Sequence, residues 1–95
     1  MAAPVGAVVT LTYDLVHNPE WPDPDDGDWL VSYSERTEQW TTAYLIVGAR
    51  QVKSDINPRR FSLRCRKVGP ALEAGIGEGE RVFPIVWYRR DRRRR

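Results

Sequence analysis

Residues 59–68 alternate, with Phe61, Leu63 and Cys65 on one side of an extended chain and Arg60, Ser62, Arg64 and Arg66 on the other. Successive side chains on a strand point to opposite faces, so the pattern specifies a strand with one apolar and one cationic face. Residues 8–16 repeat it, with Val9, Leu11, Tyr13 and Leu15 against Thr10, Thr12 and Asp14. No stretch shows a convincing 3.6-residue apolar period with the capping residues an amphipathic helix needs. A chain built this way has to fold as β-structure, and 95 residues make one small domain.

The rest of the chain reads consistently with that constraint. Residues 17–28 hold three prolines and a glycine, which specify a structured loop. Trp29, Val31 and Tyr33 alternate with Leu30, Ser32 and Ser34 as a second strand, and 34–39 is a polar turn. Residues 40–53 are the most apolar segment. Tyr44, Leu45, Ile46 and Val47 in succession predict a strand covered on both faces, with Gly48 marking a bulge. A turn is expected at 54–58, and a glycine-rich connection at 69–80 with a single helical turn near Ala71. Residues 82–88 form a last strand, which Pro84 places at a sheet edge or bulge because proline donates nothing to a ladder. The expected architecture is a five-stranded all-β barrel or sandwich, SH3/PUA-like, over residues 1–88, followed by an arginine-rich C-terminal tail at 89–95.

Charge is distributed unevenly along this framework. The net charge is only +2, but residues 1–47 carry eight acids against Arg36, a net of −7, and residues 48–95 carry fourteen bases against five acids, a net of +9. The tail alone, Arg89, Arg90, Asp91, Arg92, Arg93, Arg94 and Arg95, contributes +5. Such asymmetry points to an acidic partner for the basic end. No basic leader or apolar run near the roughly 20 residues of a membrane span is present, so the expected location is the cytoplasm or a larger assembly. The single cysteine excludes an internal disulfide and a multi-cysteine zinc site.

Catalytic chemistry finds little to use. His17 and Cys65 are the one imidazole and the one thiol, and a nucleophilic pair requires only that they meet in space. Cys65, however, shares its side of the strand with Phe61 and Leu63, the place of a core residue. Asp23-Pro-Asp-Asp-Gly-Asp28 fails the calcium-loop register, since the fifth position from Asp23 is Gly27 and the twelfth is Ser34. It reads as a solvated turn. Gly75-Ile-Gly-Glu-Gly79 lacks the lysine and the following helix of a phosphate loop. The chain is therefore expected to be no enzyme, with no cofactor, no metal and no small-molecule substrate.

The basic residues carry the functional expectation. Arg59, Arg60, Arg64, Arg66 and Lys67 line one strand and its approach, with Arg50 and Lys53 close in sequence. The tail arginines follow Trp87 and Tyr88 directly. Guanidinium forks match phosphate geometry, and adjacent rings offer stacking platforms for bases. These residues predict an interaction module that docks on an acidic surface, nucleic acid foremost. The alternative is an assembly subunit whose tail enters an acidic groove of a neighbouring protein.

The order Gly27-Asp-Trp-Leu-Val-Ser32, then Ala43-Tyr-Leu-Ile-Val-Gly-Ala-Arg-Gln-Val52, then Arg60-Phe-Ser-Leu-Arg-Cys-Arg66 and a late Trp87 resembles uncharacterised small β-barrel proteins of tailed phages of high-GC bacteria. The resemblance spans roughly residues 27–88 and implies a small barrel, with a virion or connector component as the assembly alternative. It carries no assigned catalytic or binding residue. A fainter similarity in strand order alone is to RNA-binding barrels of the PUA and ASCH kind.

Overall fold

The computed structural model describes residues 4–15, 20–52 and 59–86. Five strands, β1 (Val8–Asp14), β2 (Trp29–Ser34), β3 (Gln39–Val52), β4 (Arg60–Pro70) and β5 (Val82–Val86), form one mixed sheet in the order β1-β4-β3-β2-β5. Apart from a single 3-10 turn at Ala71–Glu73, no helix occurs among the described residues. The alternating segments have become strands, and Gln39–Val52 has become the long central one. The expected 54–58 turn, His17, Lys53 and everything from Trp87 onward lie outside the described residues.

The pairings β1–β4, β4–β3 and β3–β2 are antiparallel, whereas β5 runs parallel to β2. A parallel neighbour cannot be reached by a hairpin. The chain leaving β4 therefore crosses a sheet face, through the 3-10 turn and residues 74–81, to reach the far side of β2. β5 is an edge strand, the position Pro84 calls for.

The architecture is an open sheet: among the described residues no ladder joins the edges β1 and β5. Strands lie about 4.8 Å apart, so four intervals would hold these edges about 19 Å from each other in a flat sheet. Instead, the Tyr13 hydroxyl on β1 donates to the Pro84 carbonyl on β5 at 2.9 Å. The Tyr13 ring also meets Phe83 edge-on, with centroids 5.9 Å apart. The sheet is accordingly strongly curled, and its concave face holds Leu15, Leu30, Ile46, Phe61, Leu63, Cys65 and Phe83. Burying one such aliphatic or aromatic side chain contributes about 1.5–3 kcal/mol, so this cluster is the main source of cohesion.

The convex face is divided. Over β2 and β3 a second, smaller cluster of Trp29, Val31 and Ala43 is covered by Ala71, Ala74 and Ile76 of the crossover. Strand β2 is thus buried on both faces along Trp29–Ser32, although its alternation alone allowed one side to be wet. Ser32 is the polar residue that this arrangement buries. Its hydroxyl lies 2.7 Å from that of Thr41 and accepts from the Thr42 amide at 3.1 Å, at a bulge in the β2–β3 pairing. Further along the sheet Arg50 of β3 and Arg64 and Arg66 of β4 remain exposed on the convex face.

Candidate functional site

The uncovered part of the convex face is built by register. Gly48 on β3 pairs with Arg64 on β4, and Arg64 pairs with Thr10 on β1, so the three residues form a row across three strands. Two pairs further along, and so on the same face, Arg50 lies opposite Ser62. In the other direction, Arg66 lies between Leu45 and Val8.

A bulge puts the arginines of β3 and β4 together. Ile46 pairs with Cys65 and Gly48 with Arg64, so Val47 is an extra residue that inverts the alternation of β3. Ile46 and Ala49 both pack against the concave core, and Arg50 therefore emerges on the convex side with Arg64. Without the extra residue, strict alternation would aim Arg50 at the core. Glycine at 48 leaves the β3 end of the row without a side chain, and the Arg64 side chain runs past it, with Nη1 3.8 Å from where a Cβ would stand. The result is a hollow of about 330 Å³ lined by Thr10, Gly48, Ala49, Arg50, Ser62 and Arg64.

The basic residues proposed from the sequence divide into groups. Arg64 and Arg66 are exposed on the convex face, and neither forms an ion pair with a described residue; the same holds for Arg50. Arg59 and Arg60 are engaged within the chain. Arg59 holds the Asp23 carboxylate at 2.6 Å and donates to the Trp21 carbonyl at 2.6 Å. Arg60 pairs with Asp14, directly opposite on β1, at 3.4 Å. A second bulge, between Ala43 and Tyr44, makes Val68 the extra residue, and Lys67 pairs with Tyr44, whose side chain packs on the concave core. Alternation thus turns Lys67 away from the Arg64–Arg66 face. Trp87, Tyr88, Arg89, Arg90, Arg92, Arg93, Arg94 and Arg95 lie outside the described residues.

Sequence reasoning missed Arg81. Its guanidinium grips Asp28 with two prongs, Nε to Oδ1 at 3.1 Å and Nη2 to Oδ2 at 2.6 Å. It also donates to the Asp23 carbonyl at 2.7 Å and lies 5.6 Å from the centre of the Phe83 ring. The hydrogen bonds to Asp28, reinforced by the charges of Asp28, Asp25 and Asp23, hold Arg81 even more firmly protonated than an ordinary arginine. Asp28 in turn accepts from the Asp25 amide at 2.9 Å. The acidic loop is more than a solvated turn: Asp23 and Asp28 anchor it to Arg59 and Arg81. No linear pattern pairs residues 28 and 81, because the partners meet only through β2–β5 pairing.

Cys65 lies in the concave core with no solvent exposure. Desolvation pushes its thiol up from 9.0 to about 11. A reactive thiolate needs the opposite shift, so this environment suits packing. Gly75–Gly79 belongs to the crossover, where the Gly77 amide donates to Glu80 and the Trp29 indole also donates to Glu80. Among the described residues, no group of three or more His, Cys, Asp or Glu gathers as metal ligands, and no helix is long and apolar enough to cross a membrane.

Comparison with protein-family models, curated proteins and solved structures finds no match to this chain.

Proposed function

We propose that the protein is a non-enzymatic binding module that docks on a polyanion, nucleic acid foremost, through the convex face of β3 and β4 and the arginine-rich tail. The carrying observation is the contrast among arginines: Arg59, Arg60 and Arg81 are paired with aspartates, whereas Arg50, Arg64 and Arg66 face outward with no described acid within ion-pair reach. Phosphates supply the missing counter-charge in fork geometry. Such contacts release counterions, and each neutralised phosphate of duplex DNA adds about −0.9 to the slope of log K against log salt.

Replacing Arg64 and Arg66 together by Gln should weaken duplex binding across unrelated base sequences and flatten that slope by about 2. Deleting residues 89–95 should flatten it further, as the tail carries six arginines. Unchanged affinity and slope in both variants would refute nucleic-acid docking.

A second reading has the same cationic surface meeting an acidic neighbouring protein, as in a phage virion or connector, instead of acting in the host cytoplasm. It is favoured by an exposed apolar patch on the other half of the convex side, where Leu72 is 93% exposed and Trp40 46% exposed beside Val82. A phosphate backbone leaves such a surface wet, whereas a protein partner covers it. Co-purification of a defined protein with the wild type, lost on deleting residues 89–95 while salt-dependent DNA binding is absent, would establish this reading over the first.

A further inference from the structure

We infer that the hollow at the Gly48 bulge is a discrete binding site for one phosphoryl group, with Arg50 and Arg64 as its two cationic walls. The inference rests on the polyanion reading above and deepens it, since it assigns one phosphate to one place on the convex face.

The hollow is made by three independent features of the chain. The extra residue Val47 inverts β3 and brings Arg50 to the convex face. The adjacent Gly48 contributes no side chain, which opens the floor between β3 and β4. Thr10 on β1 and Ser62 on β4 place hydroxyl-bearing residues in the lining. Arg50 and Arg64 belong to cross-strand pairs that are successive on the convex face, Arg50 with Ser62 and Gly48 with Arg64, the Ala49–Leu63 pair between them facing the core. Diagonal neighbours of this kind lie about 7–8 Å apart at the backbone, a span that two long guanidinium side chains close readily around one tetrahedral anion.

The lining is two forked cations, two hydroxyls and bare backbone, without a carboxylate. A phosphoryl group needs this set, because its oxygens accept several bonds at once. At about 330 Å³ the space is at the lower end of small-ligand sites and admits a phosphate with the group it esterifies. Arg66 lies on the same face outside the lining, and so separates a built site from a diffuse positive surface.

The test is a titration of the full chain with inorganic phosphate, methyl phosphate and dimethyl phosphate, read by amide NMR shifts at constant ionic strength set with chloride. The expected result is saturable shifts concentrated at Thr10, Gly48, Ala49 and Ser62. Gly48→Val fills the hollow without altering charge, and a Cβ there meets Arg64 only at ordinary contact distance, 3.8 Å. It should weaken binding at least tenfold. Arg64→Lys, which keeps the charge and loses the fork, should weaken it about five-fold, and Arg66→Gln less than two-fold. If Gly48→Val does not fold, Arg64→Lys against Arg66→Gln decides.

Saturation by dimethyl phosphate assigns the site to chain phosphodiesters, whereas saturation by methyl phosphate alone assigns it to a terminal monoester. Non-saturating shifts, or equal losses in Arg64→Lys and Arg66→Gln, overturn the site. The outcomes also separate the two readings. An oligonucleotide bound equally well by wild type and Gly48→Val removes the hollow and leaves polyanion docking standing. Saturable phosphate binding without any oligonucleotide binding does the reverse.

Discussion

The two sets of arginines in this chain have the same chemistry and opposite situations. Arg59 and Arg81 close on Asp23 and Asp28 and tie the acidic loop to β4 and β5. Arg50, Arg64 and Arg66 stand on the convex face with no described acid beside them. Within the first set Arg81 satisfies a group the fold itself buries: the Asp28 side chain is only 12% exposed, and a carboxylate so placed needs its hydrogen bonds. The second set does nothing evident for the fold, and its solvated heads cost little. An arginine with a partner inside the chain is structural, and one whose partner has to come from outside is available for binding.

The sharpest way to break that comparison is to remove one aspartate. Asp28→Ala strips Arg81 of its two-pronged partner and the Asp25 amide of its acceptor. It should lower stability by about 2–3 kcal/mol, measured from the urea midpoint. A loss below about 0.5 kcal/mol would mean that the Asp28–Arg81 pair does not anchor the loop.

The next largest effect concerns the strand that joins the two sets. Cys65 stands between Arg64 and Arg66, two cations that would lower a thiol's pKa if they shared its side of the strand. Burial on the opposite face wins, and the thiol rises from 9.0 to about 11. Above pH 9 the unfolded chain releases this proton while the folded chain keeps it. Stability is therefore intact below pH 9 and falls as pH rises through about 11, by on the order of 2 kcal/mol from this group. Tyr13, raised from 10.0 to about 12 by burial, extends the decline upward. Cys65→Ala should show a visibly flatter loss between pH 9 and 11 in chemical denaturation. An identical alkaline profile would put the thiol within reach of the arginines or of water.

Arg59→Gln is the intermediate case. Asp23 is largely exposed, so the ion pair itself contributes little, but the bond to the Trp21 carbonyl is lost as well. The expected cost is about 1 kcal/mol. Arg64→Gln stands at the small end, within about 0.5 kcal/mol of wild type. Should Arg64→Gln destabilise as much as Arg59→Gln, the division between structural and available arginines would fail, and thermal melts of the two variants side by side decide it.

Much of the framework was legible in the sequence. The alternation at Val9–Tyr13 and Phe61–Cys65 fixed both strands and their buried sides, because a strand's two faces are set by period alone. Gly48 marked a bulge, and Pro84 marked an edge. The cationic face of β4 was legible too, but only Arg64 and Arg66 of the five residues named there stand on it together in the open. Arg59 and Arg60 were drawn to Asp23 and Asp14 by contacts that no local pattern encodes. The acidic loop read as solvated for the same reason, since its partner Arg81 is remote in sequence.

The sequence by itself determined the all-β class, the apolar sides of β1 and β4 and the polarity of charge along the chain. Those properties follow from covalent periodicity and composition. Only the tertiary structure decided that β5 runs parallel beside β2, that the crossover buries β2 on both faces, and that the sheet stays open with Tyr13 reaching Pro84. It also decided which arginines are spent on aspartates. These outcomes depend on which surfaces meet, and a side chain's electrostatic role is set by the charges within a few ångströms of it, wherever in the chain they originate.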